Sequence, residues 1–186
     1  GLRGPNRYSR YPLIFMTLDI GDYEDKPSDR IVGFPDRLVE LIGSLQSHRC
    51  SIGEPGGFVQ RLRSGTWAGH IVEHVALELQ CLAGMEVGFG KTRGTRDRGI
   101  YDIVYRCRVE SAGLLAGRQA VALVHAVATE RPYDLDAVIA QLTELREHDM
   151  LGPSTASIVA EAKRRSIPAL RLNSASLVQL GYGAKQ

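Results

Sequence analysis

The sequence is poor in cysteine, aromatic rings and net charge, and it has no long apolar run. Three cysteines, Cys50, Cys81 and Cys107, are spread over 186 residues. An odd number with no CxxC pair suggests neither a disulfide scaffold nor a cysteine zinc site, and a reducing, cytoplasmic setting is expected. Aromatic residues make up 6% and the formal charge is +2. That balance does not call for nucleic acid, so electrostatic recognition has to come from local patches. No apolar stretch approaches the roughly 20 residues that span a bilayer, and the start carries no signal-peptide pattern, so no membrane partner is expected. The chain opens on Gly1 instead of methionine and reads as trimmed. There is no repeat and no GxxxxGK[ST] phosphate loop; Gly90-Lys91-Thr92 is only a superficial echo of one.

What is present is ordinary for a globular chain: 44% hydrophobic and 24% charged residues. The length suits one domain and part of a second. Residues 11–20 (YPLIFMTLDI) predict a strand. Leu38, Leu41, Ile42 and Leu45 recur at helical spacing behind Pro35, predicting a helix over 35–45. Residues 50–58 (CSIGEPGGF) read as a Gly/Pro-rich loop. Ile71, Val75, Leu79 and Leu82 then form an apolar stripe, with Thr66 as candidate cap and Gly84 as the stop. Two β-like runs, 85–89 and 100–109, flank the basic stretch GKTRGTRDRG over 90–99, predicting a hairpin with a long loop. Helices are expected over 112–128 and from the capping residue Asp134 to 147. Beyond Leu151 a helix to about 165 and short strands at 168–172 and 177–180 follow. These 35 or so residues are too few for a core of their own, so they are either an appendage or the opening of a truncated domain. The fold class is α+β, with helices packed on a small, mostly antiparallel sheet.

The chemistry is concentrated in His70-Ile71-Val72-Glu73-His74 on the strongest helix. Positions i, i+3 and i+4 share one helix face, so two imidazoles and a carboxylate project together. Two histidines one turn apart can hold one Zn²⁺, with the glutamate as base toward metal-bound water, the inverted-zincin pattern. The alternative is a pair of surface or capping histidines beside a solvated glutamate. Two carboxylates are candidates for a third ligand. Glu78 lies on the same face, about 12 Å along the axis from His70; Glu144 lies on a later helix. Cys50 and His48 could form a nucleophile–base pair, but without an oxyanion-hole signature a buried thiol is the expected role of Cys50. Arg61, Arg63 and Arg93 are candidate anion contacts, against plain surface charge.

Several blocks, in order, carry a family resemblance: LRGPN at 2–6, HRCS at 48–51, GGF at 56–58, GTW at 65–67 leading into HIVEHVALELQ, VGFGKTR at 87–93, LGPST at 151–155 and VQLGYG at 178–183. They span essentially the whole chain, which resembles the N-terminal region of cyanophycin synthetases. The resemblance implies a parent enzyme that builds poly-aspartate bearing arginine on each side chain. It implies ATP and Mg²⁺ only in domains C-terminal to this region. Residues 1–150 would be a polymer-binding, metallopeptidase-like domain, and 151–186 the lead-in to an ATP-grasp domain. It further implies that cyanophycin and the C-terminal synthetase domains are partners, with a second copy of the chain a further candidate. Glu73 would be catalytic, with zinc on His70, His74 and Glu78, hydrolysing the polymer into primers; a non-catalytic polymer anchor is the alternative.

Overall fold

The computed structural model describes residues 1–2, 4–173 and 175–183. Arg3, in the first of the resemblance blocks, lies outside them. The fold is α+β, as the periodicity predicts. Strand β1 (Leu13–Asp19) buries Leu13 and Ile14 and then alternates. Helix α1 (Phe34–Leu41) follows, shorter than expected because residues 43–47 tighten into a 3-10 turn. Helix α2 (Gly57–Ser64) was hidden inside and beyond the Gly/Pro-rich stretch; its core anchors Phe58 and Leu62 are one turn apart. The long helix α3 (Ala68–Leu82) leads to β2 (Gly90–Gly94) and β3 (Ile100–Arg106), then to α4 (Glu110–Ala128) and α5 (Leu135–Asp149). The Asp134 carboxylate accepts from the Ala137 amide at 3.0 Å, capping α5 as its sequence predicts.

The sheet has the order β1-β3-β2, all antiparallel, with β3 in the centre. One expected strand is absent: residues 85–89 are irregular. Gly84 takes φ +77°, and the Met85 amide reaches back to the Gln80 carbonyl while Gly84 reaches Cys81. This six-to-one closure is the Schellman termination of α3, and it turns Met85 into the core instead of into a ladder. The strand forms later, within the basic GKTRG segment, because pairing with β3 is available there. The hairpin loop therefore shrinks to residues 95–99.

Helix α3 is wrapped on nearly every side, with eleven of its 15 residues buried. It packs on α4 and on the inner face of the sheet, and its Gln80 amide donates to the Arg106 carbonyl of β3 at 3.1 Å. Helix α4 comes down close on the sheet at Gly117, where a Cβ would lie 2.1 Å from the Tyr105 hydroxyl; that hydroxyl donates to the Gly113 carbonyl. By length and composition alone α4 is apolar enough to cross a membrane, but half of that stretch is buried inside the fold. That is the pattern of a core helix.

The C-terminal segment consists of α6 (Pro153–Arg164) and a hairpin of β4 (Ala169–Arg171) and β5 (Val178–Leu180). Among its described residues only Val159 and Ala162 are buried, while Ile158, Leu170, Leu172, Leu177 and Tyr182 are exposed. Arg171 ties it to the Asp149 carbonyl at the end of α5.

Leu79 is fully buried in the shared core of α3. Leu79→Ala should lower unfolding stability by about 2–5 kcal/mol, the range for a buried leucine whose site cannot collapse. Urea-induced unfolding followed by circular dichroism measures it.

Candidate metal centre

A helix buried this completely cannot leave ionisable side chains in water, so each polar group on α3 needs an internal partner. His70, Glu73, His74 and Glu78 all line one side of it, on the floor of a cleft of about 790 Å³. One wall is the 3-10 turn at residues 50–52 and Arg61 of α2; the other is the segment 87–90 leading into β2.

A chain of hydrogen bonds orders the rings of His48 and His74. His48 Nε2 lies 2.6 Å from a Glu78 oxygen. A carboxylate only accepts, so His48 Nε2 carries a proton, and a ring protonated there alone has its lone pair on Nδ1. That atom is 2.9 Å from His74 Nδ1, which must then donate. The free lone pair of His74 is left on Nε2. His70 is held similarly: Thr66 Oγ1 is 2.9 Å from Nδ1, and Cys50 Sγ is 3.3 Å from Nε2. Thr66 thus braces a site histidine and does not cap α3, whose N-terminus has no side-chain cap. Phe58 stacks on His74 at 4.1 Å between ring centroids and meets His70 edge-on. In this apolar setting both imidazoles are kept neutral. Burial, seconded by Arg61, takes the His70 pKa down to about 4, and burial with the neighbouring imidazoles takes His74 lower still.

The three ligand atoms of Cys50, His70 and His74 lie within 4.8 Å of one another. Two neutral imidazoles and a thiol are a donor set suited to zinc with an open position, so the residues present fit such an ion. Engagement of the outer ring nitrogens by Thr66 and His48 is the support such ligands usually have. Glu78, the expected third ligand, lines the same cleft but is not one of these three grouped atoms. Its carboxylate accepts a hydrogen bond from His48, and although burial pushes its pKa up, the hydrogen bonds from His48 and Ser44 hold it below its ordinary range. Glu144 is exposed on α5 and does not line the cleft. Cys50 is also not the buried thiol expected of it. It is half-buried at a left-handed backbone position, φ +53°, that aims its sulfur at His70.

Glu73 is nearly inaccessible and accepts a 2.6 Å hydrogen bond from the Thr92 hydroxyl of β2. Burial raises its pKa from 4.5 to about 7, with the Thr92 bond pulling the other way. The helix and the strand can approach this closely because of two glycines. A Cβ on Gly90 would lie 2.5 Å from a Glu73 oxygen, and one on Gly69 would lie 3.2 Å from Tyr101. A buried carboxyl poised near neutrality beside a candidate metal set can act as a general base.

Comparison with known proteins places the chain. A family model described as "Cyanophycin synthase-like N-terminal domain" matches residues 15–129. The chain belongs to that family. It is 50% identical over its whole length to a cyanophycin synthetase of Geminocystis herdmanii, and 49% and 48% identical to those of Crocosphaera subtropica and a Synechocystis strain. In each case it spans 22% of the relative's length.

Of the three arginines singled out in this cyanophycin synthase-like domain, the fold brings only Arg61 to the cleft, where it donates to Ser51 at 2.9 Å. Arg63 is exposed and pairs with Asp36 at 3.1 Å. Arg93 points to the outer face of the sheet, lining a separate groove with Arg7 and Lys91. Thr92 and Phe58 were missed, although strand alternation would have turned Thr92 to the helix side had residues 90–94 been read as a strand.

The raised pKa of Glu73 has a sign that can be checked. The folded state holds this proton more tightly than the unfolded one, so the stabilisation is complete below about pH 4.5 and is lost as pH rises through about 7. Glu73→Gln stays neutral and removes the loss. With chelator present, the variant should match the parent at about pH 5 and exceed it at about pH 8 by on the order of 2–3 kcal/mol. Denaturant unfolding at the two pH values measures this. An equal difference at both would mean that Glu73 is not the titrating group.

Proposed function

We propose that this chain is the N-terminal region of a cyanophycin synthetase and that its cleft hydrolyses the polymer backbone, making primers. The observation that carries the reading is the convergence of Cys50, His70 and His74 beside a buried Glu73 whose pKa lies near neutrality. Zinc held by those three residues would supply a Lewis acid and an activated water. The protein's own contribution is positional. The Glu78–His48–His74 chain orients the His74 ring with Nε2 toward the cleft, and Thr66, on Nδ1, orients His70 with Nε2 toward Cys50. Glu73 takes up a proton at its carboxylate and returns it to the departing backbone amine, while Thr92 keeps the carboxylate oriented. Arg61, on the cleft wall, suits the carboxylates that arginine substituents give the polymer.

A second reading, a non-catalytic anchor, is favoured by the groove on the outer sheet face. There Arg7, Lys91 and Arg93 surround the single carboxylate of Asp102, a cationic surface for an anionic chain. In both readings residues 151–186 are the lead-in to an ATP-grasp domain, and the C-terminal synthetase domains hold ATP and Mg²⁺. Its exposed apolar side chains suit further protein packing.

The test is polymer chain length after incubation of soluble cyanophycin with the chain and Zn²⁺. Progressive shortening is expected, abolished by chelator, restored by added Zn²⁺, and reduced at least about 100-fold by Glu73→Gln. Polymer that stays intact while co-purifying with the protein would sink the hydrolytic reading and favour the anchor.

A further inference from the structure

The two edges of the three-stranded sheet differ. The outer edge of β1 is partly covered, because Leu2 pairs with Leu13 through two backbone hydrogen bonds. The outer edge of β2 enters the cleft at Gly90 and runs on to Gly94, beside the groove on the outer sheet face. Its hydrogen-bonding phase follows from the ends of the ladder: the Arg106 amide donates to the Phe89 carbonyl, and the Thr95 amide donates to the Ile100 carbonyl. In an antiparallel ladder the bonded pairs alternate, so with the observed register Lys91 pairs with Val104 and Arg93 with Asp102. The amides and carbonyls of Gly90, Thr92 and Gly94 are therefore turned away from β3, toward the open edge.

This edge is unusually accessible for its position. Gly90 and Gly94 have no side chains to screen their backbone, and Gly90 is itself a lining residue of the cleft, against Glu73. The opposite wall, at Ser51 and Arg61, stands across the histidines. A row of donors and acceptors repeating every second residue is complementary to one kind of ligand, an extended peptide main chain, which can add as a strand to an exposed edge. We propose that the backbone of the poly-aspartate chain docks as a fourth strand on β2, hydrogen-bonded to Gly90, Thr92 and Gly94, with the Gly90 end of that strand in this cleft. Alternate residues of an extended chain point to opposite faces, so one set of arginine-bearing side chains would face Arg61 and the other would face out over the sheet. The inference rests on the polymer being the ligand of this cleft, but not on its being cut there.

Amide hydrogen exchange followed by NMR tests it, with chelator present so that no cleavage intervenes. In the free chain the Thr92 and Gly94 amides should exchange rapidly, while those of Lys91 and Arg93, already bonded to β3, are protected. Saturation with short soluble cyanophycin should slow Thr92 and Gly94 at least about tenfold and leave Lys91 and Arg93 unchanged. Gly94→Pro, which removes an outward donor without touching the β3 ladder, should weaken binding about fivefold, the worth of one hydrogen bond. Binding without that alternating protection would overturn the proposal. So would no binding, or protection of Thr92 and Gly94 that grows with protein concentration alone, which would mark pairing between two copies. Alternating protection on a protein that never shortens the polymer under Zn²⁺ would keep strand docking and remove hydrolysis. Shortening without it would do the reverse.

Discussion

The burial of α3 is the constraint on which the rest depends. A helix enclosed by a sheet, a second helix and two short loops has no solvent to satisfy its polar side chains, so every histidine and carboxylate it carries must meet a partner from another element. Those partners come from widely separated parts of the chain. His48 and Cys50 lie on one side, Thr66 and Phe58 lie near the N-terminal end, and Thr92 lies on the strand. The orientation of both site histidines follows from that enclosure. The geometry of the candidate site and the needs of a buried helix are here met by the same set of hydrogen bonds.

The low dielectric of that setting acts in opposite directions on the two kinds of group. It keeps the imidazoles unprotonated and thus able to offer lone pairs, and it makes the neighbouring carboxyl reluctant to ionise. A single cause thus acts in opposite senses on His70 and His74, which it keeps unprotonated, and on Glu73, whose proton it holds. Farther along, Glu78 escapes this because His48 reaches it with a hydrogen bond.

Much of this was legible in the sequence and some was not, for physical reasons. The apolar stripe Ile71, Val75, Leu79 identified α3, and the i, i+3, i+4 spacing put His70, Glu73 and His74 on a common face. Asp134 and Gly84 marked element boundaries because capping is a local interaction. The third candidate ligand was not legible. Cys50 reaches His70 through a left-handed residue in a 3-10 turn, a tertiary placement that no periodicity encodes, whereas Glu78 had the better helical spacing. The strand at 90–94 was missed because its residues have little β propensity of their own. Pairing with β3 creates it, and the apolar run at 85–89 was consumed in ending the helix.

Gly69 and Gly90 set the spacing between α3 and the sheet near the site by what they lack. At one point a ring rests where a side chain would be, and at the other the Glu73 carboxyl rests directly on strand backbone. Main chain does not change rotamer, so the separation between the proton-carrying group and the strand is gauged by covalent geometry. The hydrophobic core behind α3 can then drift in sequence, exchanging one aliphatic side chain for another, without altering that gauge.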